Sequence, residues 1–369
     1  MKILFLTVNL GGGGAERVLV NLANQLSARG YDITVRSLVD TGSNREYLSE
    51  TVKYEYVFKR EFRGIGRLYR LPGRLTYKML AHGEFDIVAP YLHGVLTRII
   101  ADGPKEQKKI AWLHANMENS PFMKQLVKDG KEKTVFSQYD RVVACARTVE
   151  ESFIKMTGIS DRVLTVYNTF DVAGIRRKAK ERVGLTASDA AVRLCSVGKL
   201  DEVKGYPRLL KAIKQLQDDK LDCSLVIVGE GSQRAELERY IAENGLESCV
   251  KLAGFDPNPY KYIANSDLFV CSSYTEGFSS VVAESLILGV PVLTTDCSGM
   301  REMLGDNEYG VITENSEEGL YDGLKTLLTE SALLEHYRQK AQERSAFFEP
   351  ESTVGAVEEL FKEVMESGG

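Results

Sequence analysis

Two glutamates that stand eight positions apart are the residues best suited to chemistry in this chain of 369 residues. Glu276 precedes Gly277, and Glu284 lies inside a following segment whose composition predicts a helix. Gly277 permits a turn after the preceding strand, and Ser279 or Ser280 can cap the helix. If all eight steps were helical, the two carboxylates would be about 12 Å apart along the helix axis.

That spacing suits an extended ligand such as a nucleotide sugar. One carboxylate can accept hydrogen bonds from sugar hydroxyls and the other from ribose hydroxyls, while the free amides of 277–280 hold a diphosphate. The alternative for Glu284 is a solvated helix residue. Its neighbours are apolar, however, and a carboxylate in a buried helix needs partners. These neighbours are Val281, Val282, Ala283, Leu286 and Ile287.

Two lysines follow another predicted strand. Lys199 and Lys204 lie between the strand 193–197 and the amphipathic helix 206–216. At the carboxyl end of a parallel strand, they are placed to neutralise a diphosphate leaving group. Alone the signal is weak, because lysines in loops are usually solvated.

Two further candidates lie in the first half of the chain. The glycine run 11–14, which includes Gly13 and Gly14, follows the first strand and opens an amphipathic helix. Glycines there let the backbone approach a phosphate, although a tight turn is the alternative. His114 ends the predicted strand 109–114, where an open α/β sheet presents functional groups, but a lone histidine is more often structural.

The elements that must position these residues alternate between short apolar strands and helical segments, which predicts an α/β fold of two doubly wound, Rossmann-like domains facing a cleft. We place the junction in 167–190. This gives an N-terminal domain at 1–170, a C-terminal domain at 171–351, and a helix at 352–369 as a candidate to pack back on the first domain. The predicted strands are 2–8, 31–38, 86–90, 109–114, 141–144 and 162–166, then 193–197, 224–228, 250–253, 268–271, 291–294 and 310–313.

Composition excludes several classes of protein. A net charge of −5 and a pI near 5.7 argue against a nucleic-acid-binding protein. The six scattered cysteines look like small hydrophobes in a reducing compartment, and a His/Cys zinc site is not expected. With no apolar stretch of 18 residues and no signal-peptide pattern, a cytoplasmic protein is expected.

The motifs together resemble those of the retaining, nucleotide-sugar-dependent glycosyltransferases of family 4, which have the GT-B architecture, and the resemblance runs nearly end to end. The E-x7-E element with its Gly-Phe pair is specific, whereas the glycine loop alone would not be. The segments that carry the resemblance are 13–16, 112–114, 167–171, 197–199, 204–205, 228–231, 251–255, 276–284 and 289–292.

The resemblance implies a role for each candidate. Gly13 and Gly14 approach the donor phosphates, Lys199 and Lys204 hold the diphosphate, and Glu284 holds the ribose. Glu276, with the backbone of 277–280, holds the transferred sugar and phosphate. His114 lies by the sugar's primary hydroxyl. The residues expected in donor binding and catalysis are therefore Gly13, Gly14, His114, Lys199, Lys204, Glu276, Gly277, Phe278, Ser279 and Glu284.

The family also implies a reaction. A sugar, with UDP-hexose or UDP-N-acetylhexosamine as the family average for the donor, moves to a hydroxyl of a glycan or lipid-linked glycan. Members usually have Arg where Lys199 stands, so charge is kept and the bidentate fork is lost. No Asp-x-Asp occurs, so a divalent metal is not expected. No cofactor is expected either. Since no nucleophilic carboxylate is identifiable, the resemblance favours front-face substitution over double displacement.

Three other functions compete with a transferase: an NAD-dependent oxidoreductase, a sugar-nucleotide epimerase of the same architecture, and a binding protein without catalysis. The glycine run lacks the dinucleotide spacing, which disfavours the oxidoreductase. Binding of NAD would favour that enzyme, and turnover of a labelled sugar nucleotide would separate a transferase from a binding protein.

Segment 59–80 bears on the acceptor, because its basic residues recur every three or four positions. Such a basic amphipathic stretch suggests docking on an anionic membrane, with a solvated face or an anionic-acceptor site as the alternatives. The basic residues are Arg60, Arg63, Arg67, Arg70, Arg74 and Lys78.

Overall fold

The computed structural model describes residues 1–11, 13–61, 73–183 and 190–367. The chain divides into two compact units. The first unit comprises Met1–Phe170 and Pro350–Gly369, and the second comprises Asp171–Glu349. Each unit is an α/β structure built on a parallel sheet of its own.

In the described residues, the first unit contains a seven-stranded sheet in the order β3-β2-β1-β4-β5-β6-β7, and all neighbouring strands are parallel. The strands are β1 (Lys2–Thr7), β2 (Asp32–Val39), β3 (Lys53–Phe58), β4 (Ile87–Pro90), β5 (Lys108–Leu113), β6 (Arg141–Ala144) and β7 (Val163–Thr165). The helices of this part are α1 (Gly14–Ala28), α2 (Gly73–Leu80), α3 (Val95–Ala101), α4 (Pro121–Lys128), α5 (Glu132–Phe136) and α6 (Arg147–Thr157).

The second unit contains, in its described residues, a six-stranded parallel sheet in the order β10-β9-β8-β11-β12-β13. The strands are β8 (Val192–Val197), β9 (Cys223–Val228), β10 (Val250–Gly254), β11 (Leu268–Cys271), β12 (Val292–Thr295) and β13 (Val311–Thr313). The helices are α7 (Val172–Lys178), α8 (Tyr206–Asp218), α9 (Arg234–Glu243), α10 (Tyr260–Ala264), α11 (Ser280–Ile287), α12 (Met300–Leu304), α13 (Glu317–Thr329) and α14 (Ser331–Ser345).

The last helix, α15 (Pro350–Glu366), belongs to the first unit. Its apolar face is part of the core built on β1, β4 and β5. Arg29, which follows α1, pairs with Glu358 of α15 at 2.5 Å, and Arg141 pairs with Glu363. The buried residues of this face are Val354, Val357, Leu360, Phe361 and Val364.

The strands form where the sequence is apolar and continuous, because helices cover both faces of each sheet. Strand β9 is buried at every position. The predicted strands all form, each within one residue of its expected ends, and the α/β fold class is confirmed. Strand β3 is an addition to the predicted set. Its sequence, KYEYVF, begins with alternating charged and aromatic residues, and the strand lies at the edge of the sheet and is only partly buried.

Candidate active site

Lys204 and Glu276 meet in the second unit. Lys204 ends a short 3₁₀ turn between β8 and α8, and Glu276 lies in the loop between β11 and α11. The Lys204 Nζ donates to Glu276 Oε1 at 2.7 Å, and Ser273 Oγ donates to the same oxygen at 2.6 Å. Burial opposes the charge of Lys204, but the Glu276 carboxylate more than offsets this and raises the pKa of the ammonium group. The site therefore holds a fixed cation and a fixed anion side by side.

The backbone joins these two segments directly. Ser272 Oγ donates to the Lys204 carbonyl at 2.8 Å, and the Tyr274 amide donates to the Val203 carbonyl at 2.8 Å. Gly205 has φ +65°, and a Cβ atom there would lie 2.2 Å from the Ser272 carbonyl oxygen. A side chain at this position would force the two segments apart, which explains why glycine follows Lys204.

Glu284 lies within helix α11 and is only 8% exposed. The Tyr260 hydroxyl, at the start of α10, donates to Glu284 Oε1 at 3.3 Å. The carboxylate therefore has a partner, as its burial requires.

The helix that contains Glu284 begins at Ser280, so Glu276 precedes it and the fully helical spacing of about 12 Å does not form. Ser279 occupies the N-cap position, but its side chain does not cap the helix. Its buried Oγ has no hydrogen-bond partner among the described residues. Gly277 and the buried Phe278 complete the loop between Glu276 and the helix. The first amides of α11 therefore follow Glu276 within a few residues.

Lys199 follows β8 but is exposed. In the described parts of the chain it forms no ion pair and no side-chain hydrogen bond. The structure thus brings together Lys204 and Glu276 and leaves Lys199 outside their contact.

In the first unit, the loop after β1 is held by asparagines. Asn9 Oδ1 accepts from the Gly11 amide at 3.0 Å. The buried Asn44 donates from Nδ2 to the carbonyls of Gly11 and Gly13, the latter at 3.3 Å. Helix α1 begins at Gly14, with Gly13 in the N-cap position. Gly11 and Gly13 are therefore held by side chains, and no local pattern in the sequence points to Asn44, which comes from a distant segment.

His114 follows β5 directly, and its ring centroid lies 4.6 Å from that of Tyr91. Burial is the main cause that lowers the pKa of His114 to about 3, and nearby His93 adds to the effect. Burial also lowers the pKa of His93 to about 4. Both imidazoles are therefore neutral at pH 7.

His114 Nε2 and His93 Nδ1 are buried and have no hydrogen-bond partner in the described residues. A neutral imidazole nitrogen without a partner can bind a hydroxyl. Sequence reasoning missed His93, although it follows β4, the strand next to β5.

Metal-binding clusters and membrane-spanning helices are absent from the described residues. They contain no group of three His, Cys, Asp or Glu side chains arranged to hold a metal ion. No helix among them combines the length and apolar character needed to cross a bilayer. All six cysteines are free and buried, which confirms that they are packed as small hydrophobes.

The basic segment 59–80 is described only in part. Arg63, Arg67 and Arg70 lie outside the described residues, whereas Arg74 and Lys78 are exposed on α2.

Comparison with known proteins identifies the family. The family model described as "Glycosyl transferases group 1" matches residues 177–344, and the one described as "Glycosyltransferase Family 4" matches residues 12–173. A protein of Campylobacter jejuni is 30% identical over 358 residues, which cover 94% of this chain and 96% of that protein. It is named N-acetylgalactosamine-N,N'-diacetylbacillosaminyl-diphospho-undecaprenol 4-alpha-N-acetylgalactosaminyltransferase. The lipopolysaccharide core biosynthesis glycosyltransferase LpsE of Rhizobium meliloti is 25% identical over 341 residues, 90% of each chain.

Solved structures show the same fold. The crystal structure of Anabaena Alr3699/HepE in complex with UDP and glucose superposes with a TM-score of 0.77 at 20% identity, and each chain is covered completely. Sucrose-phosphate synthase from Thermosynechococcus elongatus superposes with a TM-score of 0.76 at 17% identity, also over the whole of both chains.

These matches favour a transferase over the oxidoreductase, the epimerase and the binding protein. They cover both units, and the Campylobacter jejuni and Rhizobium meliloti relatives both carry the names of glycosyltransferases. The chain is a member of glycosyltransferase family 4 and has the GT-B fold.

Proposed function

We propose that this protein transfers a sugar from a UDP-sugar, a UDP-hexose or UDP-N-acetylhexosamine, to a hydroxyl of a lipid-linked glycan. The observation that carries the proposal is the contact between Lys204 and Glu276 at the carboxyl ends of β8 and β11. The name of the Campylobacter jejuni relative supports a diphospho-undecaprenol-linked acceptor and an N-acetylhexosamine. The complexes of HepE with UDP and with UDP-glucose support the nucleotide.

The second unit is proposed to bind the donor. Lys204, together with the exposed Lys199, would neutralise the diphosphate as negative charge develops on the leaving group. Glu276 would accept hydrogen bonds from the transferred sugar, and Glu284 would accept them from the ribose. The amides of 277–280 would bind phosphate oxygens at the start of α11. Phe278 and Ser279 belong to this donor loop.

The first unit is proposed to bind the acceptor. Within it, the loop containing Gly13 and Gly14 would present amides to the donor phosphates. His114 would bind a sugar hydroxyl through Nε2, which has no partner in the described residues. The low pKa of His114 supports a role as a neutral hydrogen-bonding group and disfavours a role as a cation for phosphate.

We further propose that the reaction retains the anomeric configuration and needs no metal. Glu276 Oε1 already accepts hydrogen bonds from Lys204 and Ser273, which makes it a poor nucleophile for a covalent sugar intermediate. Front-face substitution, in which the departing diphosphate takes the acceptor proton, fits this arrangement better than double displacement. The cationic charge at the leaving group comes from lysine, and the chain has no Asp-x-Asp motif.

A donor screen tests the proposal. Thermal shift with a panel of sugar nucleotides identifies the base and the sugar, and radiolabelled transfer to polyprenyl-diphosphate-linked glycans then tests turnover. We expect stabilisation by UDP and one UDP-sugar, followed by transfer of label to the lipid-linked product. Stabilisation by NAD alone, or UDP-sugar binding without transfer to any such glycan, would contradict the proposal.

Peripheral attachment to a membrane is proposed for segment 59–80. Of this segment, the described Arg60, Arg74 and Lys78 are exposed, and Leu75 is 63% exposed beside them. Basic and apolar groups exposed together suit an anionic lipid surface, where the lipid-linked acceptor of the relative would also be found.

A further inference from the structure

We propose that Arg208, Thr295 and Asn315 are positioning residues that hold the loop 272–274 so that Glu276 meets Lys204. The proposal rests on the function proposed above, since it assigns these residues to the same donor site. It concerns contacts made entirely within the second unit.

The three residues bind three consecutive carbonyl groups. Arg208 donates to the Ser272 carbonyl from Nε at 3.0 Å and from Nη2 at 2.6 Å. Thr295 Oγ1 donates to the Ser273 carbonyl at 2.6 Å. Asn315 Nδ2 donates to the Tyr274 carbonyl at 3.0 Å. Helix α8, strand β12 and the loop after β13 each supply one of these donors.

The donors are also joined to one another. Arg208 Nη1 donates to Asn315 Oδ1 at 2.8 Å, and Arg208 Nη2 lies 3.4 Å from Thr295 Oγ1. The guanidinium carbon is 3.8 Å from the centre of the Tyr274 ring. Because a planar guanidinium offers several donors in a fixed geometry, it can hold the loop from more than one side.

Stability alone is a weak reason for Arg208 to lie here. The residue is 4% exposed, its hydrogen bonds go to neutral acceptors, and it forms no ion pair in the parts of the chain that are described. Burial lowers its pKa, which shows that the environment opposes the charge. Burial of a cation without a carboxylate partner is unfavourable. We therefore assign Arg208 a role in holding the loop 272–274.

The loop 272–274 is connected to both members of the Lys204–Glu276 ion pair. Glu276 lies two residues after Tyr274, whose carbonyl is held by Asn315. On the other side, Ser272 Oγ and the Tyr274 amide hold the carbonyls of Lys204 and Val203. Loss of one carbonyl anchor would therefore shift the carboxylate relative to the ammonium group, and a shift of about 1 Å at a reacting site costs up to about a hundredfold in rate.

Thr295→Val is the sharpest test, because it removes the hydroxyl with little change in volume. We expect kcat to fall about tenfold, the equivalent of about 1.4 kcal/mol, with KM for the acceptor unchanged. Thr295→Ser should restore kcat because it keeps the donor. Thr157→Val is the matched control: Thr157 in the first unit is buried and donates to the Phe153 carbonyl at 2.8 Å, so its replacement should leave kcat unchanged.

Two more variants separate geometry from charge. Arg208→Lys keeps the positive charge but loses the planar guanidinium that donates to several acceptors at once. We expect kcat to fall at least about tenfold. Asn315→Ala removes an exposed anchor and should cost about threefold. In a Glu276→Ala background, Thr295→Val should cost little further, because its effect acts through Glu276. Normal kcat in Thr295→Val and Arg208→Lys, or full additivity with Glu276→Ala, would overturn the proposal.

A second readout does not depend on transfer. Amide hydrogen exchange in 272–280 should be at least about tenfold faster in Thr295→Val than in the parent, while exchange in β11 stays unchanged. Unchanged exchange in the loop would refute the positioning role even if the parent shows no turnover. Faster exchange in a chain that transfers no sugar would refute the proposed function alone.

Discussion

Breaking the contact between Lys204 and Glu276 should lower both the stability of the second unit and the rate of transfer. At a separation of 2.7 Å, the attraction between unit charges is about 6 kcal/mol for an effective dielectric constant of about 20. The side chains are only 25% and 11% exposed, so the desolvation of each ion offsets much of this attraction. We therefore expect a net coupling of about 2 kcal/mol between the two side chains.

A double-mutant cycle of Lys204→Met and Glu276→Gln measures this coupling. Each single variant leaves a partly buried charge without its partner and should destabilise the second unit by about 2–3 kcal/mol. The double variant should be more stable than the sum of the single effects predicts. Because a chain of two units can unfold in more than one step, the unfolding of the second unit has to be followed separately by urea denaturation.

Turnover is measured separately, in alanine variants of the same two residues. Glu276→Ala and Lys204→Ala should each lower kcat at least about a hundredfold, as expected for the loss of a preorganised contact in the transition state. Lys211→Met is the matched control, because Lys211 pairs with Glu317 at 2.9 Å on the exposed surface of the same unit. That variant should change stability by less than about 1 kcal/mol and leave kcat unchanged. A coupling below about 0.3 kcal/mol together with near-normal turnover would refute the site.

Three more outcomes are expected. Transfer should survive EDTA, and loss of activity that manganese or magnesium restores would contradict the proposed independence from metals. The first unit should lose stability as the pH falls from about 6.5 toward 4. The unfolded chain protonates His93 and His114 in this range, whereas burial keeps their folded pKa values near 4 and 3. The free energy of unfolding should therefore fall by up to about 1.4 kcal/mol per imidazole and pH unit. His93→Gln should flatten this slope in thermal unfolding followed from pH 7 to pH 5, and an unchanged slope would count against burial of the imidazole. Co-sedimentation with anionic liposomes should weaken in high salt and disappear when four arginines become Ser, whereas liposome binding that persists in this variant would exclude docking through 59–80. These arginines are Arg63, Arg67, Arg70 and Arg74.

Elements that are marked by a local sequence pattern could be predicted from the sequence. Buried parallel strands such as β9 are continuous apolar runs, and they were predicted almost to the residue. Glu276 and Lys204 were found because each follows such a strand next to a glycine. Strand β3 was missed because Lys53 and Glu55 interrupt its apolar run, and it pairs only with β2 at the sheet edge.

The positioning contacts could not be predicted from the sequence, because they join residues far apart in the chain. Arg208 reads as one polar residue of an amphipathic helix, and its contact with the Ser272 carbonyl spans 64 positions. Asn44 donates to the Gly13 carbonyl of the glycine loop across 31 positions of the chain. The start of α11 was predicted locally, because Ser279, one of the two serines expected at the cap, occupies the N-cap position; the lack of a capping bond from its side chain was not predicted.

Proton NMR of the transfer reaction shows whether the anomeric configuration is retained and whether the donor site is needed. We expect the chain to consume an α-linked UDP-sugar and to form an α bond to the lipid-linked glycan, at a rate that falls at least about a hundredfold in Glu276→Ala. A β-linked product would contradict retention. An α-linked product formed at the same rate by Glu276→Ala would contradict the role of the donor site.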